Sequence, residues 1–234
     1  MNKKVAIMQP YFLPYIGYFQ LINAVDEFVL YDDVNFINKG WISRNNLLAN
    51  NKSSLFSVPL KEASQNKLIC DIEIIQDDKW QKKLLKTIEQ SYKKAPNFCN
   101  IFQLTQEIIN IEEVNISKFI HYSLLKICGY LNIKTKIVES SKVFQNNALK
   151  AQERILDICH KTGAKHYINP IGGVELYDKT VFAEQNIQLQ FINSHKIHYR
   201  QFNEDFVPYL SILDLLMFKN KEEIKILLNE FDLI

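Results

Sequence analysis

The 234 residues are 47% hydrophobic and 23% charged with a formal net charge of +2; this globular balance leaves out a disordered chain, and lysines interleaved with acids leave out the basic strip of a dedicated nucleic-acid binder. No stretch reaches the roughly 18 uninterrupted apolar residues of a membrane span, so no membrane insertion is expected, and the length suits a single α/β domain over 1–234. Cys70, Cys99, Cys128 and Cys159 stand far apart without a Cys-x-x-Cys pair, which excludes a zinc knuckle and predicts buried free thiols in a reducing, cytoplasmic compartment.

Lys4–Met8 is a short apolar run suited to a strand buried on both faces. A basic start precedes it, but Gln9-Pro10 cuts the apolar run before any small-residue cleavage site, so no secretory leader is expected. Gln9 to Tyr18 carries Pro10, Pro14 and Gly17 among aromatic residues, and Phe19–Val25 has helical spacing. Glu27–Tyr31 is a second apolar run ending at Asp32-Asp33, which completes a β-α-β unit with both strands ending on one edge. The Pro10–Tyr18 loop and the Asp32–Arg44 segment then lie beyond the carboxyl ends of their strands, where open α/β sheets hold ligands.

Leu55–Leu60 and Leu68–Ile75 read as further strands, suited to an antiparallel hairpin or an edge extension. Helical spacing from Trp80 to Tyr130, broken near Ala95-Pro96, predicts a helical insertion or cap over approximately 78–131. Strand character returns at Ile133–Glu139, followed by a helix over Asn147–Lys161 stopped by Gly163, a strand Lys165–Asn169 ending at Pro170, and a strand Gln188–Ile192. Two helices close the chain: Ser211 opens the first with Asp214 at the third position of a capping box, and Asn220 caps the second with Glu222 and Glu223 near its positive end. The expected fold class is α/β, a mostly parallel Rossmann-like sheet flanked by helices.

Four groups of residues are candidates for chemistry. In the first loop, Gln9, Tyr11, Tyr15, Gly17 and Tyr18 offer a stacking surface at a strand end, against the competing view of a packed aromatic loop. Asp32 and Asp33 follow a strand end, where a carboxylate can orient a ribose hydroxyl or act as a base; an acidic turn is the alternative. Lys39, Arg44 and Asn45 surround Trp41, and a Lys-Arg pair suits a diphosphate or carboxylate. Asn169, Gly172 and Gly173 lie past a buried strand, where paired glycines let backbone amides approach an anion or simply make a tight bend.

Ser140-Ser141-Lys142 ranks below these loops. His121 and His160 fall in helical patterns and read as structural, whereas His166, His195 and His198 lie near strands without metal-ligand spacing, so no metal site is expected. A Gly-x-Ser-x-Gly elbow, a Walker A sequence and a complete dinucleotide fingerprint are all absent from the sequence.

The run Ile7-Met8-Gln9-Pro10-Tyr11-Phe12-Leu13-Pro14-Tyr15-Ile16-Gly17-Tyr18-Phe19, followed by Tyr31-Asp32-Asp33-Val34-Asn35-Phe36 and Lys39-Gly40-Trp41-Ile42-Ser43-Arg44-Asn45, resembles the signature of WbqC-like proteins. So do Tyr167-Ile168-Asn169-Pro170-Ile171-Gly172-Gly173, Leu176-Tyr177-Asp178 and Phe206-Val207-Pro208-Tyr209-Leu210-Ser211-Ile212-Leu213-Asp214, which extends the likeness over nearly the whole length. The resemblance implies a bacterial protein of O-antigen or other surface-polysaccharide (lipopolysaccharide) pathways, with a proposed role in transferring glycine or a related acyl group onto an amino sugar. A weaker similarity links the strand, the loop with Tyr15-Ile16-Gly17-Tyr18 and the following helix to nucleotidyltransferases and pantothenate synthetases, which carry His-x-Gly-His there. Both histidine positions are tyrosines here, and a phenol with a pKa near about 10 supplies no positive charge.

The expected function is therefore an acyl- or aminoacyltransferase acting on a nucleotide-linked amino sugar or another phosphorylated small molecule. The nucleotide would lie near Tyr15–Tyr18 and Gly172-Gly173, Lys39 and Arg44 would hold diphosphate or carboxylate, and Asp33 or His198 would take the amine proton. The acyl or aminoacyl donor and a homodimer are left open. One rival is a nucleotidyl- or adenylyltransferase with a degenerate His-x-Gly-His motif, which would need magnesium. The other is a non-catalytic partner in polysaccharide assembly.

Overall fold

The computed structural model describes residues 2–203 and 205–234. In β1 (Lys4–Met8) the three middle residues are buried, and all four residues of β2 (Glu27–Leu30) are, because strands covered on both faces have no solvent side to alternate toward. Between them α1 (Ile16–Asn23) buries Gly17 through Ile22. One of those residues is Gln20, whose amide reaches across the chain to donate to the carbonyls of Leu227 at 2.8 Å and Glu230 at 3.0 Å. A polar side chain survives in this apolar helix because it satisfies carbonyls at the end of a distant one.

The next pairing differs from the expected hairpin. β3 (Arg44–Ala49) pairs antiparallel with β4 (Lys52–Ser57), in register from Arg44 opposite Ser57 to Ala49 opposite Lys52. The two-residue turn is Asn50-Asn51, both left-handed (φ 50 and 58), which matches the right-handed twist of a hairpin and suits asparagine. Within Leu68–Ile75 a 3-10 turn at Ile69–Asp71 interrupts the expected strand, leaving only β5 (Leu60–Lys61) to pair with β6 (Glu73–Ile74).

Three helices fill residues 78–131: α2 (Asp78–Tyr92), α3 (Phe98–Ile109) and α4 (Ile116–Leu131). Asp77 opens α2 by accepting from the amide of Lys79 at 2.8 Å, and left-handed Asn132 closes α4. Their apolar faces, with Leu84, Ile88, Ile108, Phe119 and Leu124, belong to the same buried cluster as Phe19 and Leu21 of α1. The chain then runs through β7 (Lys136–Val138), α5 (Ala151–Thr162), β8 (His166–Pro170), α6 (Lys179–Glu184) and β9 (Gln188–Ser194). Gly163, at φ 71, ends α5.

The last elements are α7 (Ile212–Phe218), α8 (Lys221–Leu227) and an additional strand, β10 (Phe231–Leu233). Asn220 and Glu223 form a reciprocal capping box with both bonds at 3.0 Å. Ser211 caps α7 by accepting from Leu213, but Asp214 does not return the bond. The Ser211 amide already donates to the Asn46 carbonyl at 2.9 Å, so the carboxylate is free to turn inward.

The main sheet has the order β10-β9-β8-β1-β2-β7, parallel throughout except for antiparallel β10 on β9. One buried cluster lies under α1, the 78–131 helices and the C-terminal helices, and a second under α5 and α6, so helices cover both faces. Because β2 lies on one side of β1 and β8 on the other, the chain leaves the carboxyl ends of β1 and β8 in opposite directions. Open α/β sheets hold their ligands beyond the carboxyl ends of strands at such a divergence.

The cysteines also depart from expectation. Cys128 and Cys159 are buried and burial pushes their thiols up to about 12, but Cys70 is only half-buried and Cys99 is exposed on α3. No helix among the described residues is long and apolar enough to cross a membrane.

Candidate functional site

The loop after β1 is locked before it reaches α1. Leu13 sits at φ 45 and is fully buried, and its carbonyl accepts from Asn45 Nδ2 at 2.6 Å and Ser211 Oγ at 2.8 Å. Asn45 is thus a buried staple between the loop, β3 and α7, with no polar group left facing a ligand. Tyr18 is likewise spent inside: its hydroxyl donates to the Gln9 carbonyl at 2.9 Å and its ring packs on Phe28 at 5.2 Å. Gln9 is half-buried at the strand end.

Tyr11 faces outward from that packing, with its ring 6.1 Å from Tyr18 and 6.3 Å from Trp41. Trp41 is half exposed, and the Arg44 guanidinium lies 5.3 Å over it. Arg44 spends part of its donor fork on its own loop, bonding the carbonyls of Gly40 at 2.8 Å and of Lys39. Lys39 is exposed at φ 59. The four form an aromatic and cationic ledge.

The acidic pair is built differently from a reactive one. Asp33 is buried in an ion pair with Arg154 at 2.5 Å, its second oxygen accepts from Ser141 Oγ, and Arg154 also covers the Tyr31 ring at 4.9 Å. With both oxygens taken and the side chain fully buried, Asp33 does not meet a substrate amine, which corrects its reading as a base. Asp32 accepts from Ser117 Oγ at 2.7 Å and Ser140 Oγ at 2.6 Å, and burial raises its pKa. The pair ties β2 to α4, α5 and the 3-10 turn after β7.

The second glycine loop is also internally closed. Asn169 donates to Tyr167 Oη at 2.8 Å, and its Oδ1 lies 2.1 Å from where a Cβ on Gly173 would stand. Gly173 is needed for that close approach, whereas Gly172 is exposed with open space around it.

A cavity of about 370 Å³ opens between the first turn of α1, the segment after β9 and the start of α7, and it brings together Tyr15, Gly17, Lys196, His198, Tyr199 and Tyr209. A Cβ on Gly17 would lie 2.3 Å from the Tyr15 ring, so glycine lets that ring fold onto the helix start. His198 packs 4.5 Å from Phe206, which orients its imidazole while leaving it exposed. Tyr199 donates at 2.6 Å to Asp214, which also accepts from Tyr92 at 2.9 Å and Gln201 at 2.8 Å. Burial raises the pKa of Asp214, and this buried carboxylate fixes the cavity floor through neutral donors.

Among the described residues no carboxylate lines the cavity, while His195, Lys196 and His198 do. Hydrogen bonds to Asp232 and Glu230 raise the pKa of His195, and those two carboxylates, at 3.0 and 3.2 Å, offset its charge, which leaves Lys196 as the cation of the edge. Such a site can hold an anion along the edge after β9, set a flat or apolar group against Tyr15 and Tyr209, and accept a proton at His198. No group of three or more His, Cys, Asp or Glu side chains is placed to hold a metal ion among the described residues.

Of the residues singled out in the sequence, Tyr15, Gly17 and His198 meet in the cavity; Tyr11, Lys39, Trp41 and Arg44 form the ledge, and Asn169, Gly172 and Gly173 lie outside the lining. Lys196, Tyr199, Phe206 and Tyr209 carry no regular pattern as site residues. Their only trace is the aromatic and proline-containing stretch Phe206–Tyr209.

A model described as WbqC-like protein family matches residues 9–226 of this chain. The chain is 30% identical over 216 residues to Uncharacterized protein Rv1507c of Mycobacterium tuberculosis, a match covering 92% of this chain and 93% of that protein. No solved structure matches the chain.

Proposed function

The chain belongs to the WbqC-like protein family, and from that premise we propose that the cavity beside α1 is the site of an acyl- or aminoacyltransferase acting on a nucleotide-linked amino sugar. The observation that carries the reading is a cavity of about 370 Å³ with Lys196 and His198 on one edge and, among the described residues, no carboxylate in its lining. That volume falls within the roughly 300–1,000 Å³ of small-molecule sites, and its charge suits a phosphorylated ligand. The five parallel strands support it too: numbered in chain order they lie 3-2-1-4-5, the order of a Rossmann-like sheet whose ligands gather at the strand edge. Four unpaired thiols fit a reducing, cytoplasmic setting.

In the proposed reaction the sugar amine attacks the acyl carbonyl carbon of the donor. The new C–N bond forms, the bond to the donor's leaving group breaks, His198 takes the amine proton, and the imidazolium returns it to the leaving group. Lys196 holds phosphate. The buried Tyr18 hydroxyl, committed to the Gln9 carbonyl, weighs against nucleotidyl transfer, which would need that position at the phosphates.

The test is incubation of the purified chain with nucleotide-linked amino sugars and acyl-CoA or aminoacyl donors, with the product read by mass spectrometry. His198→Ala is expected to lower kcat by about 10²–10⁴-fold, beyond any weakening of ligand binding from the loss of a lining side chain. Magnesium-dependent pyrophosphate release from a nucleoside triphosphate would replace acyl transfer by nucleotidyl transfer. No turnover, with stable co-purification with a glycosyltransferase, would replace it by a non-catalytic role.

A further inference from the structure

Tyr209 is held in a conformation that its own contacts do not repay. Its backbone is left-handed, at φ 56, a region where a bulky side chain is strained and which is over-represented at ligand clamps. Leu13 has the same backbone sign, but it is fully buried and its carbonyl takes two hydrogen bonds. The Tyr209 ring is instead 78% exposed, with no side-chain hydrogen bond among the described residues.

The flanking chain enforces this posture. Pro208 precedes Tyr209, Leu210 is buried behind it, and the Ser211 amide is fixed to the Asn46 carbonyl at 2.9 Å. Tyr15 lines the same cavity as Tyr209, and after burial the Tyr209 phenol adds electrostatically to the raising of the Tyr15 pKa. The two phenols therefore share one cavity with Lys196 and His198.

We propose that Tyr15 and Tyr209 form a clamp for the nucleobase of a nucleoside diphosphate, whose phosphates run toward Lys196 and His198. This rests on the reading of the cavity as the ligand site. A base is favoured over a sugar ring because Ile16, Pro208 and Leu210 of the lining offer no side-chain hydrogen-bonding group, and Ser211 Oγ is committed to Leu13. The hydroxyls of Tyr15 and Tyr209 would pair only some hydroxyls of a polyhydroxyl ring, whereas a base presents a π-face for both rings to stack on.

Calorimetric titration with uridine diphosphate, adenosine diphosphate and ribose 5-phosphate tests the clamp. Both nucleotides should bind, and ribose 5-phosphate, lacking the base, should bind about tenfold more weakly or worse. Tyr209→Gly should weaken the nucleotides by about tenfold, Tyr209→Phe should stay within about threefold of the parent, and ribose 5-phosphate should not respond to either. Tyr209→Gly should also leave the Tm unchanged or raised, since glycine adopts this φ freely.

A lower Tm for Tyr209→Gly would make Tyr209 a packing residue and overturn the clamp. Equal binding of nucleotides and ribose 5-phosphate, or nucleotide binding indifferent to Tyr209→Gly, would overturn the clamp and leave the cavity as a phosphate site. Failure of all three probes to bind would overturn the reading of the cavity itself, and the clamp with it.

Discussion

Arg154 shows how one residue decides the meaning of others. It is almost fully buried, pairs with Asp33 at 2.5 Å and takes Asn146 Oδ1 at 2.9 Å, so Asp32-Asp33 hold the strand end together instead of facing a substrate. Arg154→Ala is expected to cost about 3–5 kcal/mol, because it strands a buried carboxylate. Joint replacement with Asp33→Leu and Arg154→Met should recover most of that loss in urea unfolding. If Arg154→Ala were as stable as the parent, the pair would not be the tie described.

At the scale of elements, turn chemistry explains the hairpin that strand propensity did not reveal. β3 and β4 are rich in Asn, Ser and Lys, and polar composition hid β3 and the start of β4, of which only the end fell in the expected strand Leu55–Leu60. Asn50-Asn51 was the available signal, since two consecutive left-handed residues are what a two-residue hairpin requires. Asn51→Val should destabilise the protein by about 1–2 kcal/mol and Asn51→Gly should be tolerated, as measured by thermal unfolding.

β10 offers a pH-dependent counterpart. His195, at the end of β9, bonds Glu230 at 3.2 Å and Asp232 at 3.0 Å, with Lys196 as its charged neighbour. Its folded pKa is raised above 6.5, so the tie contributes fully below the unfolded value and is lost as pH rises through the folded one. Hydrogen-exchange protection of β10 amides, corrected for intrinsic rates, should fall as pH rises above the ordinary histidine value and through the raised folded one. His195→Gln should abolish that dependence, and an unchanged profile would show that imidazole charge does not hold the strand.

For the whole molecule, Phe119 joins the helical segment to the sheet. Its ring lies 4.9 Å from Phe12 in the loop after β1 and 6.0 Å from Trp80 on α2. The 78–131 helices thus complete the core under the proposed site, and one cooperative unfolding transition is expected, with Trp fluorescence and far-UV circular dichroism coincident. Phe119→Ala should lower both together by about 3–5 kcal/mol. Two separated transitions would instead make the helical segment an independent domain.

Strand and helix periodicity, the glycine stop at Gly163 and the Asn220 cap were legible because each depends on neighbours within a few residues. The signature residues likewise identified the family, and the β-α-β rhythm pointed to ligand chemistry at the strand edge. Which of those signature residues face open space depended on groups far apart in the chain: Ser211 bonded to Leu13, Arg154 paired with Asp33, and Tyr209 sharing a cavity with Tyr15. Sequence spacing carries the period of an element, whereas burial and partnership arise only when distant elements pack. That packing withdrew Asp33, Tyr18 and Asn45 into structural roles and assembled the cavity from the start of α1 and the segment after β9.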